Sequence, residues 1–182
     1  MNRRSRFATK AVMRMTNPLS TQLHDAVSTL QDAYYKLILA VGPARSGKTT
    51  ALSTLAHERN WPLLNVNLRV SEHLLDLTQT RRAIRVATIF HEIVHTEASD
   101  VVLLDNIELL FAAELAQDPL RLLQALARQR TLVVAWPGRV DGAYLTYAEP
   151  GHPEARRYLT PQAVIVPIGD DRHGGAGVPG ED

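Results

Sequence analysis

The stretch Leu37-Ile38-Leu39-Ala40-Val41-Gly42-Pro43-Ala44-Arg45-Ser46-Gly47-Lys48-Thr49-Thr50 decides how this chain is read. An apolar run ends in a glycine, and positions 42–49 then match the spacing G-x-x-x-x-G-K-[ST] of a phosphate-binding loop. Such a loop needs glycines at Gly42 and Gly47 because its backbone curls through conformations closed to side chains and brings its N–H groups up to phosphate oxygens. The helix that follows adds its positive N-terminal end. Lys48 reaches the β- and γ-phosphates, and the Thr49 hydroxyl holds Mg2+. The expected nucleotide contacts are Gly42, Pro43, Ala44, Arg45, Ser46, Gly47, Lys48, Thr49 and Thr50. A chance glycine-rich turn is the alternative, and the apolar run before the loop and the helical pattern after it argue against that.

Outward from the loop, strand-like and helix-like patterns alternate. Asn17-Pro18 signals a helix start, with Leu19, Leu23, Val27, Leu30 and Tyr34 at helical spacing. Alternation over 63–68 predicts a second strand, and a helical pattern over 71–97 breaks near Thr80. Val101 to Leu104 is wholly apolar and ends in Asp105, as a strand covered on both faces requires. Asp118-Pro119 caps a helix reaching about Gln129. A fourth strand over 131–136 stops at Pro137-Gly138, 141–159 is less regular, and 163–168 is the fifth strand. Five such runs separated by helices predict an α/β, three-layer P-loop NTPase fold with a mostly parallel five-stranded sheet. No internal repeat is present.

The chain has 182 residues, which suits one domain, and no cysteine, which excludes disulfides, iron–sulfur clusters and thiolate zinc sites. Charged residues interrupt every apolar run before the ~18 residues that a membrane span needs, so a cytoplasmic protein is expected. The net charge of +1 conceals an asymmetry: Arg3, Arg4, Arg6, Lys10 and Arg14 stand without an acid in the first 15 residues, and the rest is acidic by four charges. Residues 1–16 read as a disordered basic leader, 17–168 as the domain, and 169–182, rich in Gly, Asp and Pro, as a disordered tail. The leader has no signal-peptide core, and Met13 or Met15 is an alternative start.

The acid that supports the metal is expected at the end of an apolar strand, which makes Asp105 the second Mg2+ residue. In the AAA+ and related ATPases that these features resemble, a glutamate directly follows that aspartate. Here the position is Asn106, which orients water but accepts no proton, and Glu108 is the nearby candidate base. A polar γ-phosphate sensor at the end of the fourth strand is missing from Val134-Ala135-Trp136-Pro137. Arg156 and Arg157 occupy the region from which AAA+ proteins present an arginine finger to a neighbour, with a solvated basic pair as the alternative. Nothing after the fifth strand provides their helical lid. No Asn-Lys-x-Asp guanine motif appears, which favours ATP.

His91-Glu92-Ile93-Val94-His95 matches the zinc-protease pattern H-E-x-x-H. At about 100° per residue, Val86, Ile89, Phe90 and Ile93 form an apolar stripe with both histidines opposite, facing solvent rather than a catalytic cleft. Metal binding without protease chemistry is the remaining metal reading of the pair. Arg81, Arg82 and Arg85 begin the same helix, with Arg69 nearby, either as a solvated cluster or as a contact for DNA or an acidic partner.

Four segments carry a family resemblance: 63–68 (LLNVNL), 103–111 (LLDNIELLF), 131–138 (TLVVAWPG) and 145–154 (LTYAEPGHPE). Together they resemble the BrxF family, small P-loop proteins of BREX type 3 bacteriophage-exclusion systems. The resemblance implies a bacterial antiviral role beside other BREX subunits, including a methyltransferase, a PglZ-type protein and large ATPases, with homo-oligomers as an additional possibility. It also makes Asn106 a family trait. Three functions stay open at this point: an ATP-hydrolysing subunit, a nucleotide-responsive scaffold without turnover, and a small-molecule kinase.

Overall fold

Four parallel pairings, six residues long between the two central strands, organise the computed structural model, which describes residues 18–169. The parallel order is β2 (Leu63–Asn65), β3 (Val101–Asp105), β4 (Thr131–Asp141), β1 (Leu37–Gly42) and β7 (Val164–Pro167). β1 is buried at every position, which explains its unbroken apolar sequence. Its register with β4 runs from Leu37 opposite Leu132 to Gly42 opposite Pro137.

Side chains alternate between two cores. Ile38, Ala40, Val133 and Ala135 pack under α1 (Leu19–Ser28) and α2 (Lys48–Arg59). Leu37, Leu39, Val41, Leu132, Val134 and Trp136 face α3 (Val66–Leu74), α4 (Gln79–His95) and α5 (Pro119–Ala127), together with two short 3-10 turns, Glu108–Phe111 and Ala113–Leu115. The three-layer fold with a five-stranded parallel core is as the sequence predicts, and among the described residues no helix follows β7. The leader and nearly all of the tail lie outside the described residues.

Several boundaries differ from expectation for identifiable reasons. α1 ends at Ser28, so the spacing of Leu30 and Tyr34 is not helical; Leu30 is buried by a turn and Tyr34 is exposed. Asn17 lies outside the described residues. The second strand is three residues long, because the Asn65 side chain accepts the Leu68 N–H at 3.0 Å and starts α3 there. The helical break falls at 75–78, where Arg82 Nε donates to Leu74 O and Leu77 O and satisfies the end of α3. Asp118 caps α5 as expected, accepting Arg121 N–H at 3.1 Å.

The largest correction concerns Pro137-Gly138, which does not stop β4. Beyond the last residue paired with β1, β4 continues to Asp141 and turns through Gly142 (φ +57°) into β5 (Tyr144–Tyr147), which pairs with β6 (Arg156–Leu159). Asp141-Gly142 between alternating runs is a hairpin signal. The inner face of this antiparallel sheet is apolar: Tyr147 stacks on Phe111 at 3.6 Å between centroids, and Leu145 is fully buried. Trp136 Nε1 donates to Thr146 O at 2.9 Å, tying the hairpin to the core. Gly138 is required by this close approach, since a Cβ there would lie 1.9 Å from Thr146 O. Gly138→Ala is therefore expected to destabilise the fold by about 1–3 kcal/mol, the usual cost of overpacking, as a lower urea midpoint.

Candidate nucleotide site

The site lies at the carboxyl ends of the parallel strands, where ligands of open α/β sheets bind. β1 runs into the loop, and α2 begins at Lys48 with Gly47 in a left-handed conformation (φ +94°) as its N-cap. Gly42 is needed for a different reason from the one its motif suggests. Its φ is not positive; instead a Cβ there would lie 2.4 Å from Ile168 O and 2.7 Å from Ser46 Oγ. The loop is thus packed against the end of β7, and Ile168 N–H donates to Val41 O at 2.7 Å. Pro43, Ala44, Arg45, Gly47, Thr49 and Thr50 are exposed, and residues 45–50 line a small concavity at the helix start.

Lys48 is buried, and its Nζ donates to Gly42 O and Pro43 O, both at 2.6 Å, and to Ser46 Oγ at 3.3 Å. Burial pushes its pKa down, while the carboxylates of Asp105 and Glu108 act in the opposite direction. Phosphate oxygens carry full charge and are stronger acceptors than these carbonyls, so a bound nucleotide competes for the ammonium.

Asp105 is buried at the end of β3, with Oδ1 accepting Asn106 N–H at 2.9 Å. Asn106 has φ +51°, a left-handed conformation that Asn adopts more readily than Glu. Its presence after the aspartate thus has a backbone reason, and it acts in the fold through its main chain: its carbonyl accepts Asn67 N–H at 2.8 Å. That turn places Glu108 at the start of the first 3-10 turn, within electrostatic range of Lys48 rather than pointing elsewhere.

Sequence reasoning missed Asn67 as a site residue. Its Nδ2 donates to Glu108 Oε2 at 2.9 Å, and its Oδ1 accepts Leu109 N–H at 2.8 Å, so one side chain holds both the carboxylate and the backbone beside it. Reading 63–68 as a strand hid this. The available signal was Asn65 immediately before the helical series Val66, Val70 and Leu74.

Tyr147 was also missed. Its hydroxyl donates to Glu154 Oε2 at 3.4 Å, and burial, then Glu154, then Glu108 push its pKa up from 10.0 to about 12. Arg156 and Arg157 are neighbours on a strand and project to opposite faces of it. Arg156 lies near Tyr147 and donates to Ala155 O, while the exposed Arg157 guanidinium sits 3.5 Å from the Tyr144 ring centroid.

The donor set suits Mg2+: a threonine hydroxyl at the start of α2 and a buried carboxylate are hard oxygen ligands. Thr49 and Asp105 are the residues that would hold the ion, which would neutralise phosphate charge there.

A P-loop α/β domain is what this fold and loop define. Over residues 38–134, just over half of the chain, the sequence matches the AAA family, ATPases associated with various cellular activities, and the chain belongs to that family. It is a nucleotide-binding P-loop protein. No curated protein matches it. Among solved structures it is similar to a DNA replication initiation factor (14% identity, TM-score 0.45) and to AMPPCP-bound DnaA from Aquifex aeolicus (14% identity, TM-score 0.44). Each alignment covers 81% of this chain and 44% of the other, so the chain spans less than half the length of those proteins. No helix among the described residues is long and apolar enough to cross a membrane.

The raised Tyr147 pKa has a signed consequence. A group whose folded-state pKa is raised adds stability below its unfolded pKa and loses it as pH climbs through the folded value. Stability measured by urea denaturation is expected to fall between pH 10.0 and about 12, and Tyr147→Phe to make that fall shallower.

Proposed function

We propose that this protein hydrolyses Mg2+·ATP as a subunit of a BREX type 3 phage-defence complex. The observation that carries the catalytic part is the Glu108 carboxylate, held by Asn67 Nδ2 beside the Lys48 and Asp105 end of the site. In this reading the loop amides and Lys48 bind the phosphates, Thr49 and Asp105 hold Mg2+, and Glu108 takes the proton of the attacking water. Asn67 is a positioning residue. Arg157, exposed on the hairpin, is the better placed of the two arginines to reach a neighbouring subunit. The phage-defence part is supported by the four BrxF-like segments. The structure assigns one of them, Ala135-Trp136-Pro137-Gly138, a concrete role in passing β4 from the parallel sheet into the hairpin.

A second reading is a nucleotide-responsive scaffold without turnover. It is favoured by Asn106, whose left-handed backbone removes the glutamate from the position directly after Asp105.

Steady-state Mg2+-dependent ATP turnover, with nucleotide binding measured on the same samples, separates the two. Lys48→Ala is expected to lose binding and turnover with its circular dichroism unchanged. Glu108→Gln is expected to keep binding and lose at least about 100-fold in kcat, the scale of a removed general base. Asn67→Ala is expected to lower kcat with little change in nucleotide affinity. Tight binding without turnover, alone and with partner subunits, supports the scaffold instead. In cells, Lys48→Ala that accumulates normally is expected to abolish phage protection, and retained protection refutes the defence role of the ATP site.

A further inference from the structure

We propose that His91 and His95 form a binding site for one borderline divalent transition metal ion, of the Zn2+, Ni2+ or Cu2+ class, on the exposed face of α4. The inference is independent of the nucleotide reading. The two residues are four apart near the end of a 17-residue helix, the separation that stacks side chains on one face. Both are exposed, and their ring centroids are 4.2 Å apart with planes inclined by 44°. With metal–nitrogen bonds of about 2.0–2.1 Å, two rings this close on one helix face lie within reach of a single ion.

The surroundings hold the His95 ring in place. Gln129 Oε1 lies 2.8 Å from His95 Nε2. An amide oxygen there fixes the tautomer with hydrogen on Nε2 and leaves the lone pair on Nδ1, the outer partner that metal-bound imidazoles commonly have. The next residue, Arg130, donates to Val94 O, Glu97 O and Ser99 O, so the turn carrying Gln129 is anchored to the end of α4. His95 is the last residue of α4, so the same anchoring fixes the helix end that carries it. A rigid helix supplies both ligands without ordering a loop on binding.

Imidazole donors select borderline transition metals over Mg2+ or Ca2+, which prefer hard oxygens. Among the described residues no three His, Cys, Asp or Glu side chains converge on a common point, so water fills the remaining coordination positions. This also separates the site from a zinc protease, whose H-E-x-x-H motif works in a closed cleft with a third protein ligand. The site holds a metal and performs no hydrolysis. Its location on α4, before β3, is separate in sequence and in the sheet from the loop that follows β1.

The test is calorimetric titration of the metal-free full-length chain with Zn2+, paired with thermal melting at rising Zn2+. The expected result is one ion bound per chain, undisplaced by excess Mg2+, with a melting temperature that climbs with Zn2+ concentration. His91→Ala and His95→Ala are each expected to lose that ion and the thermal shift, while unchanged circular dichroism shows that both variants fold. Zn2+ binding that is the same in both variants as in the parent overturns the proposal, as does a parent chain that gives no heat and no shift.

Discussion

The pairing of β1 with β4 is the constraint on which the rest of the molecule depends. It is the longest parallel ladder in the sheet, β1 is buried throughout it, and β4 is buried from Leu132 to Trp136. Where the ladder ends, at Gly42 opposite Pro137, the two strands part. β1 turns sharply into the phosphate loop. β4 has no N–H at Pro137 with which to continue a ladder, and it passes on into an antiparallel hairpin. The loop and the hairpin are therefore placed by the same pair of residues.

Charge within the site is balanced between burial and attraction. Lys48 loses solvation when it folds against the loop carbonyls, and Asp105 and Glu108 return part of that loss. Asn67 links the two sides of this balance, because it holds Glu108 by its side chain and Asn106 by its N–H. The turn after β3 is consequently pinned to the first turn of α3, and Glu108 stays near Lys48 although it is exposed. Without that link, an exposed carboxylate on a 3-10 turn would have no reason to keep one orientation.

The parts of this fold that could be read from sequence are those where one local rule dominates. β1 and β3 are continuous apolar runs, Asp118-Pro119 is an unambiguous cap, and the phosphate loop has fixed spacing. The errors fall where two rules compete. Leu64, Val66 and Leu68 alternate like a strand, yet the cap at Asn65 prevails and exposes Leu68. Pro137-Gly138 looks like a stop, yet proline is tolerated where a strand changes partners, and glycine where two backbones nearly touch. Glu108 could be listed from sequence but not oriented, because its orientation depends on Asn67, 41 residues away. Arg156 and Arg157 could likewise be listed but not oriented, because on an unrecognised strand adjacency in sequence means opposition in space.

The hairpin takes the place that a helix would fill in the connection from β4 to β7. Consecutive parallel strands of one sheet are ordinarily joined by a crossover that contains a helix. Here the chain passes from β4 to β7 through β5 and β6 with no helix between them. The inner face of this hairpin is fastened by Trp136, Phe111, Tyr147 and Tyr158, and Tyr147 lies within the electrostatic reach of Glu108. Its outer face carries Arg139, paired with Glu149, and Arg157 over Tyr144. The charge of Glu108 is thus felt on the packed inner face of the hairpin, beyond the end of the parallel sheet. The β4 extension therefore carries the chain from the phosphate end of the parallel sheet to an exposed, charged surface.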